Sequence, residues 1–294
     1  MKFFGANAKR LLHWLGSGLA AAGIGFVVLK LLQYRDQFDL TRLGAQDWLT
    51  LALLAVLCAL SGVLLAFAWH ALLQRHRVTL SIGSAVRIYG VSQIAKYVPS
   101  NVVHLIGRQA LTAAEGLPNW PVAKSTLWEL GCLPYAALLC APLALPLLHR
   151  AISPAIGIGL FVLALALGLA GASKLVAKAA ARAIAYQVAY LLIAGAQFLV
   201  VLLLLSPSDA LGPVAAAICG ASVLAWAAGF LTPGAPAGVG VREAVLYMLL
   251  SHLVSQPDLL AAVVLARMIS VCGDVLFYLG AIGAGRRLDA GALS

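Results

Sequence analysis

Apolar runs of about 20 residues, each long enough to cross a bilayer, recur along this chain with little sequence left between them. A backbone in lipid has no water to bond to, so such runs fold as helices that satisfy their own N–H and C=O groups. The expected class is an all-α polytopic membrane protein. Only 10% of the 294 residues are charged and 63% are hydrophobic, whereas a soluble domain carries about 25% charged residues. Residues 1–294 are therefore read as a single integral membrane domain without a separate aqueous core.

Six spans are expected, at about 15–32, 48–73, 122–148, 154–172, 184–205 and 259–283. The first is followed by Gln33-Tyr34-Arg35 and has no small-residue cleavage motif, so it is read as an uncleaved span. The net charge of +10 is concentrated in short connections, which is the pattern of loops retained in the cytoplasm. Lys2, Lys9 and Arg10, then Arg75 and Arg77, then Lys174, Lys178 and Arg182, and finally Arg286 and Arg287 mark that side; His149-Arg150 is a small violation. This accounting places both termini in the cytoplasm and the chain in a bacterial cytoplasmic (inner) membrane.

Two stretches interrupt the apolar pattern. Val98-Pro-Ser-Asn-Val-Val-His-Leu-Ile-Gly-Arg108 separates apolar pieces at 82–98 and 102–114, and Leu231-Thr-Pro-Gly-Ala-Pro-Ala-Gly-Val-Gly-Val-Arg-Glu-Ala244 separates pieces at 211–230 and 241–253. Proline removes a helical donor and glycine frees the backbone, so neither stretch continues as a helix. In lipid, irregular backbone is tolerated where protein buries it or where it lines a wet cavity. Each piece pair is read as a re-entrant helical hairpin, with a plain amphipathic surface hairpin as the competing reading of the first. Pro99 to Arg108 has the same spacing as Pro233 to Arg242. Spans and hairpins then repeat with opposite orientation, repeat 1 over about 48–148 and repeat 2 over about 184–284, the inverted-repeat plan of many transporters.

Charges at bilayer depth normally face the protein interior or a wet cavity. Arg108 and Arg242 follow the two breaks, where a half-helix would present unpaired N–H groups, and a guanidinium beside a helix N-terminus suits a phosphate. The open alternative is that each arginine pairs with a carboxylate, Glu115 or Glu243, and pins its hairpin. A second tier comprises Lys96, Tyr97, His104, Glu129, Arg267 and Asp274. Arg267 and Asp274 share one face of the last span and could hold a counter-charge or an interhelical ion pair, while Lys96 could line an entrance or reach the headgroups. No metal role is assigned. The five cysteines, Cys58, Cys132, Cys140, Cys219 and Cys272, have no CxxC spacing and are read as small core residues. No HExxH or Asp-rich cluster is present, and Gly220-Ala-Ser222 with His252 is only a faint echo of an intramembrane serine protease, so no enzyme activity and no cofactor are expected.

Tyr97-Val-Pro-Ser-Asn101 leading to Gly107-Arg108, together with Thr232-Pro-Gly-Ala-Pro-Ala-Gly-Val-Gly-Val-Arg-Glu-Ala244, resembles the membrane, flippase-like domain of the lysylphosphatidylglycerol synthase family. The second segment is similar to that family's Pro-Gly-Gly-x-Gly-x-Arg-Glu pattern, with Ala235-Pro236 in place of its second glycine. The resemblance maps Pro233, Gly234, Gly238, Gly240, Arg242 and Glu243 onto one family element and Pro99, Asn101, Gly107 and Arg108 onto the other. It implies a stand-alone member without the synthase domain. The implied function is a lipid translocase moving an anionic lipid, a phospholipid or a polyprenyl-phosphate-linked sugar, between leaflets; the alternative is a non-transporting lipid-binding partner of a membrane glycosyltransferase. No nucleic-acid partner is expected, and with no ATP-binding element in the sequence a gradient, a coupled ion or product consumption is expected to drive movement.

Overall fold

A computed structural model describes residues 43–97, 103–149, 151–232 and 240–291. The first expected span and the tips of both hairpins lie outside these residues. Every regular element among them is a helix, and five helices are long and apolar enough to cross a membrane, coinciding with the second to sixth expected spans.

Helix α1 (Ala45–Arg75) starts at Gly44, whose N–H donates to Asp47 Oδ2 at 2.8 Å, an acidic group where the helix dipole favours one. Its 31 residues extend about 46 Å at 1.5 Å per residue, past an apolar slab of about 30 Å. Next come α2 (Ile82–Gln93), capped by Ser81 Oγ accepting from Ser84 N at 3.1 Å, a 3-10 turn at Ile94–Tyr97, and α3 (Val103–Ala114). Helix α4 (Asn119–Cys140) carries Pro134 inside it; Pro142 and Pro146 each lack an N–H, and the span continues as a 3-10 turn, Ala141–Ala144, and one helical turn, α5 (Leu145–Leu148). Helix α6 (Pro154–Gly171) opens with Ser153 as cap and Pro154 at its first position and ends in a π turn, Ala172–Val176. The remaining helices are α7 (Lys178–Leu205), α8 (Ala215–Leu231), α9 (Val241–Leu250) and α10 (Gln256–Gly291).

The helices that flank the two breaks are short. With 12, 12, 17 and 10 residues, α2, α3, α8 and α9 reach about 18, 18, 26 and 15 Å, so none matches a bilayer core unaided. What they lack in length they recover by packing against the long helices.

The centre of the bundle is α1 against α7. Three contacts show that they run antiparallel: Arg182 donates to Gln74 Oε1 at 2.9 Å, the Phe67 and Tyr186 rings lie 5.7 Å apart, and Gln197 Nε2 donates to the Leu54 carbonyl at 2.7 Å. Around this pair, α2 packs on α1 and α10, while α8 packs on α7 and on the 3-10 turn that ends α4. Helix α4 lies against α7 and α1, and α10 against α1 and α7. Helix α6 sits outside with little of its surface buried, so its Leu160, Leu163 and Leu167 are left for lipid.

One end of the bundle is basic. Arg75 donates to the Val176 carbonyl at 2.8 Å and lies over the Trp128 ring, so the C-terminal end of α1 meets the connection between α6 and α7. Partial burial, with the Arg75 and Lys124 charges nearby, holds the His76 imidazole below the ordinary histidine range. Helix α2 leaves from this end. At the other end Leu51, Leu54, Val201, Leu202, Leu211 and Leu259 share one core cluster, and from there α8 leaves.

Helix α8 is gripped on two sides by backbone. A Cβ on Gly195 of α7 would stand 2.8 Å from the Cys219 carbonyl oxygen, and one on Gly220 would stand 2.6 Å from Leu143 Cβ and 2.8 Å from Ala144 N. Gly220→Leu is therefore expected to destabilise the protein by at least about 1–3 kcal/mol through overpacking, read as a lowered thermal midpoint in detergent. Gly159→Leu, on the exposed face of α6 with nothing within 4 Å, is the control expected to leave that midpoint unchanged. This packing also gives Gly220-Ala-Ser222 a structural account: Ser222 is buried within α8, and His252 is exposed in the turn after α9. All five cysteines are free thiols; Cys272 is exposed, which corrects the reading of it as a core residue.

Candidate functional site

Pro99, Asn101, Pro233, Gly234 and Gly238 lie outside the described residues. The other candidates fall on the helices that flank the two breaks, and the structure sorts them into a sealed centre and a partly open one.

The sealed centre holds Arg108. Its guanidinium pairs with Glu129 of α4, its Nε lies 3.4 Å from Ser92 Oγ, and it stacks over the Tyr89 ring at 4.0 Å and the Trp69 ring at 5.1 Å. Tyr89 donates its hydroxyl to the second Glu129 oxygen at 2.7 Å, and Trp69 donates to Ser125 Oγ at 3.1 Å. Arg108 is 1% exposed and Glu129 6%. A charge removed from water this completely is held only by a partner with good geometry, and here carboxylate, hydroxyl and two aromatic faces supply it. The arrangement ties α3 to α1, α2 and α4. Arg108, expected to present its guanidinium to an anion, is enclosed; its partner is Glu129, 21 residues along the chain, whereas Glu115 pairs with Arg87. Gly107, beside it, meets nothing that a side chain would touch.

The partly open centre is organised by α10. The Lys96 ammonium, two residues before the first break, lies 2.7 Å from Asp274. Glu243, just after the second break, lies 2.7 Å from Arg267 and also accepts the Gly240 N–H at 2.7 Å. Gly240 has φ +87°, a left-handed conformation that suits glycine, and this turn with its Glu243 cap fixes where α9 begins. Thus Gly240 and Glu243 build the start of the half-helix on which Arg242 is the second residue, and Glu243 pairs with Arg267 of α10. Tyr97 closes the 3-10 turn at the other break, and His104 is the second residue of α3.

Arg267 and Asp274 are seven residues apart, about 10.5 Å along one face of α10. That face therefore receives the residues flanking both breaks. Beside Asp274, α10 lies directly against α1: a Cβ on Gly273 would stand 2.6 Å from Cys58 Cβ. Side chains here keep contact with open space: 22% for Arg267, 25% for Glu243 and 29% for Lys96. The charged groups of this centre are Lys96 with Asp274, Arg267 with Glu243, and Arg242 beside Glu243 in the chain.

Two residues of this region carried no expectation from the sequence. Tyr190 bridges the core cluster around Trp69 and Tyr89 and the one around Leu72 and Leu191. Gln187, one turn earlier on α7, is fully buried, and neither atom of its amide has a hydrogen-bond partner. A glutamine within a span was the available signal, since intramembrane polar side chains are costly.

Elsewhere, an apolar cleft of about 440 Å³ runs between α4, the π turn and α7, lined by Trp128, Tyr135, Leu175 and Ile184 among others. A second, of about 460 Å³, lies beside Gln74 and Arg77 at the basic end. Neither is lined by the residues that flank the breaks. Among the described residues no group of three or more His, Cys, Asp or Glu side chains is placed to hold a metal ion. Comparison of the chain with protein families, with curated proteins and with solved structures returns no match.

Proposed function

We propose that the protein is a lipid translocase built from two inverted repeats, in which an anionic headgroup passes between the hairpins and is met by Arg242. The observation that carries this reading is the convergence of both broken hairpins on one charged, partly open face of α10. A lipid phosphate crossing the bilayer needs a counter-charge and donors at depth, and a guanidinium beside a half-helix start provides both.

Repeat symmetry draws support from the packing. Exchanging α1 with α7, α2 with α8, α3 with α9 and α4 with α10 turns each major contact into another that is present. The first limb of each hairpin packs on the last helix of the other half, or on its continuation. The second limb of each is ion-paired to the long helix that follows it, Arg108 to Glu129 and Glu243 to Arg267, with the polarity reversed. Corresponding first helices α1 and α7 are antiparallel, as opposite membrane orientation requires. One pair is sealed and its counterpart partly open; rocking of the halves would exchange these states and give access to each leaflet in turn. Both termini are assigned to the cytoplasmic side of a bacterial inner membrane, on the basic end that Arg75 and Lys124 mark. Reporter fusions at Arg77, Lys178 and Asp258 test this: inside, inside and outside are expected, and an outside signal at Lys178 overturns the topology.

Kinship with the membrane domain of lysylphosphatidylglycerol synthases is part of the same proposal and rests on the two break motifs. The function is tested with purified protein in liposomes holding a labelled anionic lipid. Leaflet exchange that is lost in Arg242→Ala supports translocation. Retained binding without exchange in the native protein would favour instead a partner that presents lipid to a membrane glycosyltransferase.

A further inference from the structure

The apolar cleft between α4, the π turn and α7 belongs to neither charged centre, and its shape follows from the way α6 parts from α4. The two helices touch at Gly168, where a Cβ would stand 2.6 Å from Leu139 and where the Tyr135 hydroxyl donates to the Gly168 carbonyl at 3.5 Å. Three residues further on they have separated: a Cβ on Gly171 of α6, or on Gly131 of α4, would meet nothing within 4 Å. The π turn Ala172–Val176 then carries the chain across to α7. About 440 Å³ is left open over the buried Cys132, Ala172, Ala180 and Ile184, with Trp128 and Leu175 at its exposed rim.

The width of this cleft selects its occupant. It runs along α4 from Leu127 to Tyr135, about 12 Å at 1.5 Å per residue, so its mean cross-section is about 37 Å². A helix with its side chains is about 10 Å across and needs roughly twice that area. A spanning segment of a partner or of a second copy is therefore too thick, whereas a hydrocarbon chain lying parallel to α4 fits. Charge is confined to one end. The Arg75 guanidinium lies 4.6 Å over the Trp128 ring and donates to the Val176 carbonyl. Lys124, one turn before Trp128 on the same face of α4, is exposed, as are Lys174 and Lys178 two residues to either side of Val176. Residues 171–184 include no Asp or Glu, and Glu129 is taken by Arg108. Basic groups at the mouth of an apolar slot complement a phosphate joined to an acyl chain, and a tryptophan at that level suits the boundary between headgroups and hydrocarbon.

We propose that this cleft holds a resident membrane phospholipid, with one acyl chain between α4 and the π turn and the phosphate at the mouth that Arg75 and Lys124 form. The lipid is a structural ligand and not cargo, since none of the lining residues flanks either break. It joins the end of α6, the helix with least protein around it, to α4 and α7. A ligand that binds the folded state raises its stability with occupancy. The site stands without the translocase reading.

Full-length protein stripped of lipid in a mild detergent is titrated with phosphatidylglycerol or with the diacylglycerol of the same chains, and bound lipid and thermal midpoint are read by native mass spectrometry and melting. The native protein is expected to bind phosphatidylglycerol at least about tenfold more tightly than diacylglycerol and to melt higher with it. Gly131→Leu combined with Gly171→Leu fills the open space and is expected to weaken that binding by about tenfold or more and to remove the rise in midpoint. Lys124→Gln is expected to weaken it severalfold, and Arg242→Ala to leave it unchanged, which separates this lipid from any cargo. Equal binding of the two lipids by the native protein, or a filled variant that binds as the native protein does, reduces the lipid to ordinary boundary lipid and overturns the site. Photocrosslinking of the native protein with phosphatidylglycerol that carries a diazirine in its acyl chain decides the matter without any variant. Adducts within 127–135 and 171–184 are expected, and adducts spread instead along the exposed face of α6 overturn the proposal.

Discussion

Glu129→Ala is expected to lower the stability of the folded protein by about 3–5 kcal/mol, the cost of leaving a buried charge without its partner. The carboxylate neutralises Arg108 and accepts from Tyr89, and both partners are enclosed with it. Removing it strands a guanidinium between the Tyr89 and Trp69 rings, where aromatic faces offer only partial compensation. Arg108→Met alone is expected to cost a comparable amount, because it strands the carboxylate instead. Combining Arg108→Met with Glu129→Leu removes both charges and is expected to recover most of the loss, since apolar replacements of a buried pair are often close to neutral. Thermal midpoints of the three variants in one detergent make the comparison. Single variants as stable as the native protein would show that the pair does not pin the first hairpin. The double variant also separates pinning from binding: it is expected to keep lipid binding, because the site assigned to the anion lies at Arg242.

Arg242→Ala is the second large effect, and it falls on function. Hydrogen bonds to a charged group contribute about 1.5–3 kcal/mol, so its loss is expected to slow leaflet exchange of an anionic lipid by roughly 10- to 100-fold. Arg242→Lys keeps the charge and loses the planar fork, and an intermediate rate is expected. The side chain sits at the second position of α9, half-buried and beside a cap that Gly240 and Glu243 form without it. Its replacement is therefore expected to leave the fold intact, with a thermal midpoint far closer to native than that of Glu129→Ala. Exchange unaltered in a well-folded Arg242→Ala protein would move the anion site elsewhere.

The two variants contrast in a way that residue type could not foretell. Arg108 and Arg242 follow their breaks at the same interval, yet one is sealed and the other borders open space. The difference lies in what the neighbouring helices bring: α4 delivers Glu129 to Arg108, while α10 delivers Arg267 to Glu243. For Arg108 the carboxylate near in sequence was the wrong guide, because Glu115 pairs with Arg87, and Glu243 reaches across to Arg267 of α10. Asp274 and Lys96 likewise find one another across 178 residues of chain, a pairing with no local signal.

Local sequence dictates the helices here. Hydropathy over about 20 residues places each of the five described spans, because a backbone in lipid has to satisfy itself within a few residues of its own position. For that reason the expected limbs at 82–98 and 102–114 reappear as α2 with its 3-10 turn and α3, and those at 211–230 and 241–253 as α8 and α9. Which charges meet is decided by the packing of helices far apart in the chain, and so is the isolation of Gln187 inside the bundle. Nearly every residue in these spans is apolar, so periodicity carries little record of which face points inward; side-chain fit and the reach of a few ions choose the neighbours instead.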